Sequence, residues 1–112
     1  MPLTKSFTTD YGPTAEYHVA EDVQLDSRNQ TGTLTVRVYY DAAAYAAGSN
    51  HLGEFTIPID SAGMYDSDDV WTKLAWSEVG NGKNQSQRET YLKGHKGKYG
   101  SKIVDYTTAT GP

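Results

Sequence analysis

Fourteen carboxylates, ten basic side chains and three histidines are the groups in this chain that can do chemistry; there is no cysteine. Thiolate nucleophiles, disulfides, iron–sulfur clusters and cysteine-type zinc sites are therefore excluded. Asp66-Ser-Asp-Asp69 opens like a calcium-binding loop. Such a loop needs glycine at its sixth position and a bidentate acid at its twelfth. Trp71 and Ser77 fill those places, so the acids read as helix caps instead. His18, His51 and His95 have no His-x-x-x-His spacing and read as surface or sheet residues rather than ligands. No Gly-x-Ser-x-Gly elbow surrounds any serine. Gly80-Asn-Gly-Lys83 shares only a fragment of a phosphate-binding loop, and reads as a helix end followed by a turn. No catalytic, cofactor-binding or metal-binding residue is assigned, and the chain reads as non-enzymatic.

The charges are split along the chain. Residues 1–69 carry three basic groups (Lys5, Arg28, Arg37) against eleven acids, whereas residues 70–112 carry seven basic groups against three. The positive part ends in a Gly-rich run, Lys93-Gly-His-Lys-Gly-Lys-Tyr-Gly-Ser-Lys102. Three uses fit such a run: a solvated linker, an arm docking on an acidic protein surface, or a single-strand nucleic-acid contact. The overall acidity, pI near 5.2, makes nucleic acid the weakest of the three. The expected partner-binding residues are Lys93, His95, Lys96, Lys98, Tyr99 and Lys102, together with Trp76.

The elements that must position these groups follow from periodicity. In 15–25, Tyr17, Val19, Val23 and Leu25 share one parity, and Glu16, His18, Asp22 and Gln24 the other. That marks one strand, or two with a kink, with one wet face. Leu34, Val36, Val38 and Tyr40 alternate with polar or aromatic neighbours, and a polar cluster at 27–32 joins the two runs. Residues 15–40 therefore predict a β-hairpin. Ser6-Phe-Thr-Thr9 is a short strand ended by a turn at 10–13. Asp41, an alanine-rich run and Gly48 predict a short capped helix. Phe55, Ile57 and Ile59 form a strand, placed at an edge by Pro58. A helix at about 67–79 is expected, with Asp66 or Ser67 as its cap, Trp71 and Leu74 on its buried stripe, and Trp76 facing a second surface or a partner. The Ser86-x-x-Glu89 spacing predicts a helix over 86–93. Residues 94–102 look unable to pack a core, and Ile103, Val104 and Tyr106 offer a last strand.

The segments Leu3-Thr-Lys-Ser-Phe-Thr-Thr-Asp-Tyr-Gly12, Ala15-Glu-Tyr-His-Val19 and Val36-Arg-Val-Tyr-Tyr-Asp-Ala-Ala-Ala-Tyr-Ala-Ala-Gly48 resemble small structural proteins of tailed-bacteriophage and prophage virions. The resemblance covers about residues 3–60. It implies a minor tail, neck or capsid-decoration component with no catalytic motif to carry over, made in the host cytoplasm and located in the virion. Homo-oligomers and other virion proteins are the partners expected on that basis; no apolar run approaches a membrane span. A second use of the exposed aromatics is a β-module binding glycans or a host surface, with Trp76 and Tyr65 as first candidates. The expected fold is mainly β (α+β): an antiparallel sandwich or sheet with one flanking helix, a compact domain at 1–82, and a basic Gly-rich C-terminal arm at 83–112 that extends from it.

Overall fold

The computed structural model describes residues 3–8, 14–99 and 102–111; the turn expected at 10–13 lies outside them. The fold is mainly β, as expected. The 15–40 region is the predicted hairpin, formed by β2 (Thr14–Asp26) and β3 (Thr31–Tyr39) in antiparallel register from Tyr17–Tyr39 to Asp26–Thr31. Asp26 ends β2 and builds the turn. Its Oδ1 accepts from the amides of Arg28 (3.1 Å) and Asn29 (3.3 Å), and its Oδ2 from Asn29 Nδ2 (2.8 Å). This is the local side-chain bonding that makes aspartate a turn residue.

The kink expected in β2 is a β-bulge. The register steps from Ala20–Val36 to Asp22–Thr35, which leaves Glu21 as the extra residue. One extra residue reverses which face each side chain takes. Before the bulge His18 and Ala20 lie opposite Val38 and Val36; after it Val23 lies opposite Leu34. His18, assigned by alternation to the wet face, is therefore buried, and Tyr17 lies only partly covered on the other side.

α1 (Ala42–Ala46) follows β3, with Asp41 as its cap: the aspartate side chain accepts from Ala44 N at 2.8 Å. β4 (Gly53–Asp60) pairs with β3 along its length. On its other flank it meets β6 (Val70–Ala75) only at Ile59 and Asp60, in parallel. Pro58 thus sits where one flank carries no partner strand, as an edge position should.

The expected helix at 67–79 is mostly strand. Asp66 Oδ1 accepts from Asp68 N (2.9 Å) and Val70 N (3.2 Å), and Asp66 N donates to Val70 O (2.9 Å). The acids therefore close a β-turn between β5 (Met64–Tyr65) and β6, rather than cap a helix. Asp and Ser side chains serve either purpose. Val70, Trp71 and Leu74 enter the core from the strand. Only Trp76–Val79 is helical, as the four-residue α2.

The last thirty residues are not an extended arm. α3 (Gln85–Lys93) carries the predicted capping box two residues early, between Asn84 and Gln87. β7 (Lys96–Tyr99) pairs with β6 in parallel, β8 (Lys102–Asp105) pairs with β7 in antiparallel, and a 3-10 turn follows at Tyr106–Thr108. Leu92, Val104, Tyr106 and Ala109 join the same core as Leu34 and Trp71. The Gly-rich run packs because Gly97 has no side chain: a Cβ there would lie 2.1 Å from the Trp71 ring. The radius of gyration is 13.4 Å, and a compact chain of this length has about 13 Å, which leaves no room for a free arm. The sheet order is β1-β2-β3-β4-β6-β7-β8, where β1 is Leu3–Thr8. Thr4 and Thr110 exchange two backbone hydrogen bonds (2.7 and 3.0 Å), so the sheet nearly closes into a barrel.

Gly97→Ala is expected to lower stability by about 1–3 kcal/mol, the usual effect of overpacking, read as a lower urea midpoint. A chain ending at Lys93 is expected to lose cooperative unfolding altogether, rather than merely an appendage; a sharp, unchanged thermal transition in that truncation would contradict the fold described here.

Candidate functional site

Three groups of polar residues hold the molecule's chemistry. The first lies under the closure. His18, 1% exposed, bonds Tyr106 Oη through Nδ1 and Lys5 O through Nε2, both at 2.8 Å. A carbonyl only accepts, so Nε2 carries the proton and Nδ1 accepts from the tyrosine hydroxyl. Burial holds the imidazole pKa down to about 4, which fixes the neutral ring. Lysines reinforce the same seam. Lys5 Nζ reaches Thr108 Oγ1 (2.6 Å), Lys102 Nζ reaches Thr8 O (3.0 Å) and lies over the Phe7 ring, and Lys93 Nζ reaches Gly111 O (2.8 Å).

The second group is the buried pair on α3. Glu89 Oε2 accepts from the amide of Ala20 (3.0 Å), the residue where the bulge begins, and from Gln85 Nε2 (3.3 Å). Glu89 Oε1 has no hydrogen-bond partner among the described residues, and burial raises the carboxyl above its ordinary range. Arg88 beside it donates to Val79 O (2.8 Å) and Gly80 O (3.5 Å) at the end of α2, and burial lowers its pKa.

The third group is open. Tyr65, Asp69, Gly94, His95, Lys96 and Thr107 line a groove of about 420 Å³. Its aromatic wall is braced. Tyr65 Oη and Tyr91 Oη are 2.7 Å apart, His95 Nδ1 donates to Tyr91 O (2.8 Å), and the His95 ring lies 4.6 Å from Tyr91 and 5.8 Å from Tyr65. Burial, then the Tyr65 hydroxyl, pushes the Tyr91 phenol upward. Asp69 holds a left-handed backbone, φ +61°, imposed by the 66–69 turn.

The expected partner-binding residues fall into four places. Lys93 and Lys102 are drawn into the seam. His95 and Lys96 line the groove, and Lys98 is exposed on β7, opposite Ile103. Tyr99 is in β7, with its side chain outside the described residues. Trp76 is half-buried, packed on the core and against Gly80. Sequence reading missed His18, Tyr106, Glu89, Asp69 and Tyr91. A bulge cannot be read from alternation, and Glu89 looked like a helix cap because its spacing from Ser86 imitates one.

No family model, curated protein or solved structure matches this chain. Among the described residues, no group of three His, Cys, Asp or Glu side chains is arranged to hold a metal, and no helix is long and apolar enough to cross a membrane.

The seam makes stability depend on pH with a definite sign. The unfolded chain takes up a proton on His18 near pH 6.5, and the folded chain only near 4. Stability contributed by the neutral ring is thus intact above about 6.5, falls as the pH drops towards 4, and levels off below. The shift corresponds to roughly 3 kcal/mol. Urea midpoints measured from pH 7.5 to 4 should show this fall, and His18→Gln should reduce its slope. Glu89 acts oppositely: its ionisation in the folded state opposes stability as pH rises through its raised pKa. Glu89→Gln is expected to be neutral or stabilising at pH 8, while Glu89→Leu, which strands the Ala20 amide, should cost about 1–3 kcal/mol.

Proposed function

We propose that this chain is a non-enzymatic structural protein of a tailed-bacteriophage virion, a tail, neck or capsid-decoration subunit that joins copies of itself and other virion proteins. The observation that carries this reading is where closure puts the charges. The exposed acids Glu16, Glu21, Asp22 and Asp26 belong to β2, and exposed Lys98 and Ile103 to β7 and β8. Between β2 and β7 stand β1 and β8 in one direction, and β3, β4 and β6 in the other. The exposed acids of β2 and the exposed Lys98 of β7 therefore lie on different sides of the barrel.

A subunit with complementary patches on different sides associates head to tail, and such contacts close into rings or run on as filaments. Ile103 is 54% exposed beside Lys98, which gives the basic wall an apolar centre of the kind an interface uses. Contacts of this kind are weak singly and strengthened by repetition. The segments at 3–48 that resemble phage structural proteins supply the virion assignment. The non-enzymatic part is supported by the tasks the reactive side chains already have: His18 in the seam, Asp66 in a turn, Glu89 on the bulge. The contact described here uses folded walls and needs no extended arm.

Light scattering across a concentration series at low salt should show reversible association that weakens as salt rises. The double variant Lys98→Glu with Ile103→Asp should stay monomeric with an unchanged thermal transition. A wild-type chain that remains monomeric at high concentration and captures no virion protein would overturn the reading.

A further inference from the structure

The groove at Tyr65 has a chemistry that the assembly reading does not use. Among its lining groups, acceptors outnumber donors. Asp69 brings a carboxylate. His95 spends its Nδ1 proton on Tyr91 O, which leaves Nε2 as the ring atom free to meet a ligand. Thr107 Oγ1 gives its proton to Asp105 Oδ1, which leaves the hydroxyl's lone pairs. Lys96 supplies the donor. Asp69 and Lys96 give the lining one formal charge of each sign.

An acceptor-rich groove with one charge of each sign suits a ligand rich in hydroxyl donors and without charge. A phosphate or carboxylate would meet a single cation and a repelling Asp69. The remaining lining feature is aromatic: Tyr65 is 42% exposed and is held by Tyr91 and His95. A ring fixed in this way can cover the C–H face of a sugar without loss of side-chain freedom. The volume, about 420 Å³, lies within the range of small-ligand sites, roughly 300–1,000 Å³.

We propose that this groove binds a neutral saccharide, with Tyr65 as the stacking platform and Asp69, His95, Lys96 and Thr107 as the hydrogen-bonding groups. A left-handed, non-glycine Asp69 beside a braced aromatic pair is the sort of locally constrained backbone that collects at binding sites. The proposal stands apart from the assembly reading, because neither Lys98 nor Ile103 lines the groove.

The test is an array of neutral and acidic oligosaccharides, followed by titration of the ¹⁵N-labelled chain with the best-retained glycan, inorganic phosphate and AMP. Retention of neutral glycans is expected, with amide shifts gathered at 65, 69, 94–96 and 107. Tyr65→Ala should weaken binding about tenfold or more, and Tyr65→Phe should hold it within about twofold, since the ring carries the contact. Asp69→Asn, which tolerates the same backbone, should also weaken it about tenfold, and serves if Tyr65→Ala does not fold. The Lys98→Glu with Ile103→Asp variant should bind as the wild type does, so loss of assembly and loss of sugar binding are separable. The proposal fails if no neutral glycan is retained, if folded Tyr65→Ala and Asp69→Asn bind undiminished, or if phosphate or AMP occupies the groove more tightly than any sugar.

Discussion

Two reciprocal backbone hydrogen bonds between Thr4 and Thr110 decide what kind of object this chain becomes. Without them β1 and the C-terminal segment would be sheet edges, and edges are templates for unwanted pairing. With them the core can be enclosed on nearly every side. The bonds are not left to themselves. Buried His18 ties Lys5 on β1 to Tyr106 at the far end of the chain, and the lysines of the basic run fasten backbone oxygens beside them. A composition that looks made for outward contact is thus partly turned inward. Lys98, with Lys96 in the groove, remains outward, and the place of Lys98 on the barrel, rather than the total charge of a tail, shapes the association proposed here.

The same closure explains why charged groups are tolerated inside. Burying a carboxylate is costly unless it is hydrogen-bonded. Glu89 accepts from the Ala20 amide where the bulge in β2 begins, and Arg88 donates to the carbonyls at the end of α2. Both buried charged side chains are thus hydrogen-bonded to backbone groups.

Much of this was legible in the residues. Strict alternation gave β3, Asp-Ala-Ala-Ala gave α1, and Phe55, Ile57 and Ile59 gave β4. What failed did so for identifiable reasons. A single extra residue at Glu21 inverted the parity of β2 and hid His18 from view. Asp66 can cap a helix or close a turn, and only the pairing of β6 with β4, β5 and β7 decides between them. The run holding Gly97 reads as unable to pack a core, yet the glycine's missing side chain is what admits the Trp71 ring. Of the groove, Tyr65, His95 and Lys96 were visible as aromatic or basic candidates. That they meet Asp69 and Thr107 is a product of tertiary closure, which no local pattern contains.

The hydrogen bonds across the seam span 88, 94 and 103 residues of chain. Contacts so distant in sequence make for slow folding, since loop-closure entropy is spent before any of them can reward it. During synthesis β1 leaves the ribosome first and must wait, unpaired on its outer side, until Thr110 has been made. The nascent sheet of β1, β2 and β3 therefore keeps β1 as an open edge until Thr110 is in place, and crowded nascent chains would meet through that edge before any one of them could close.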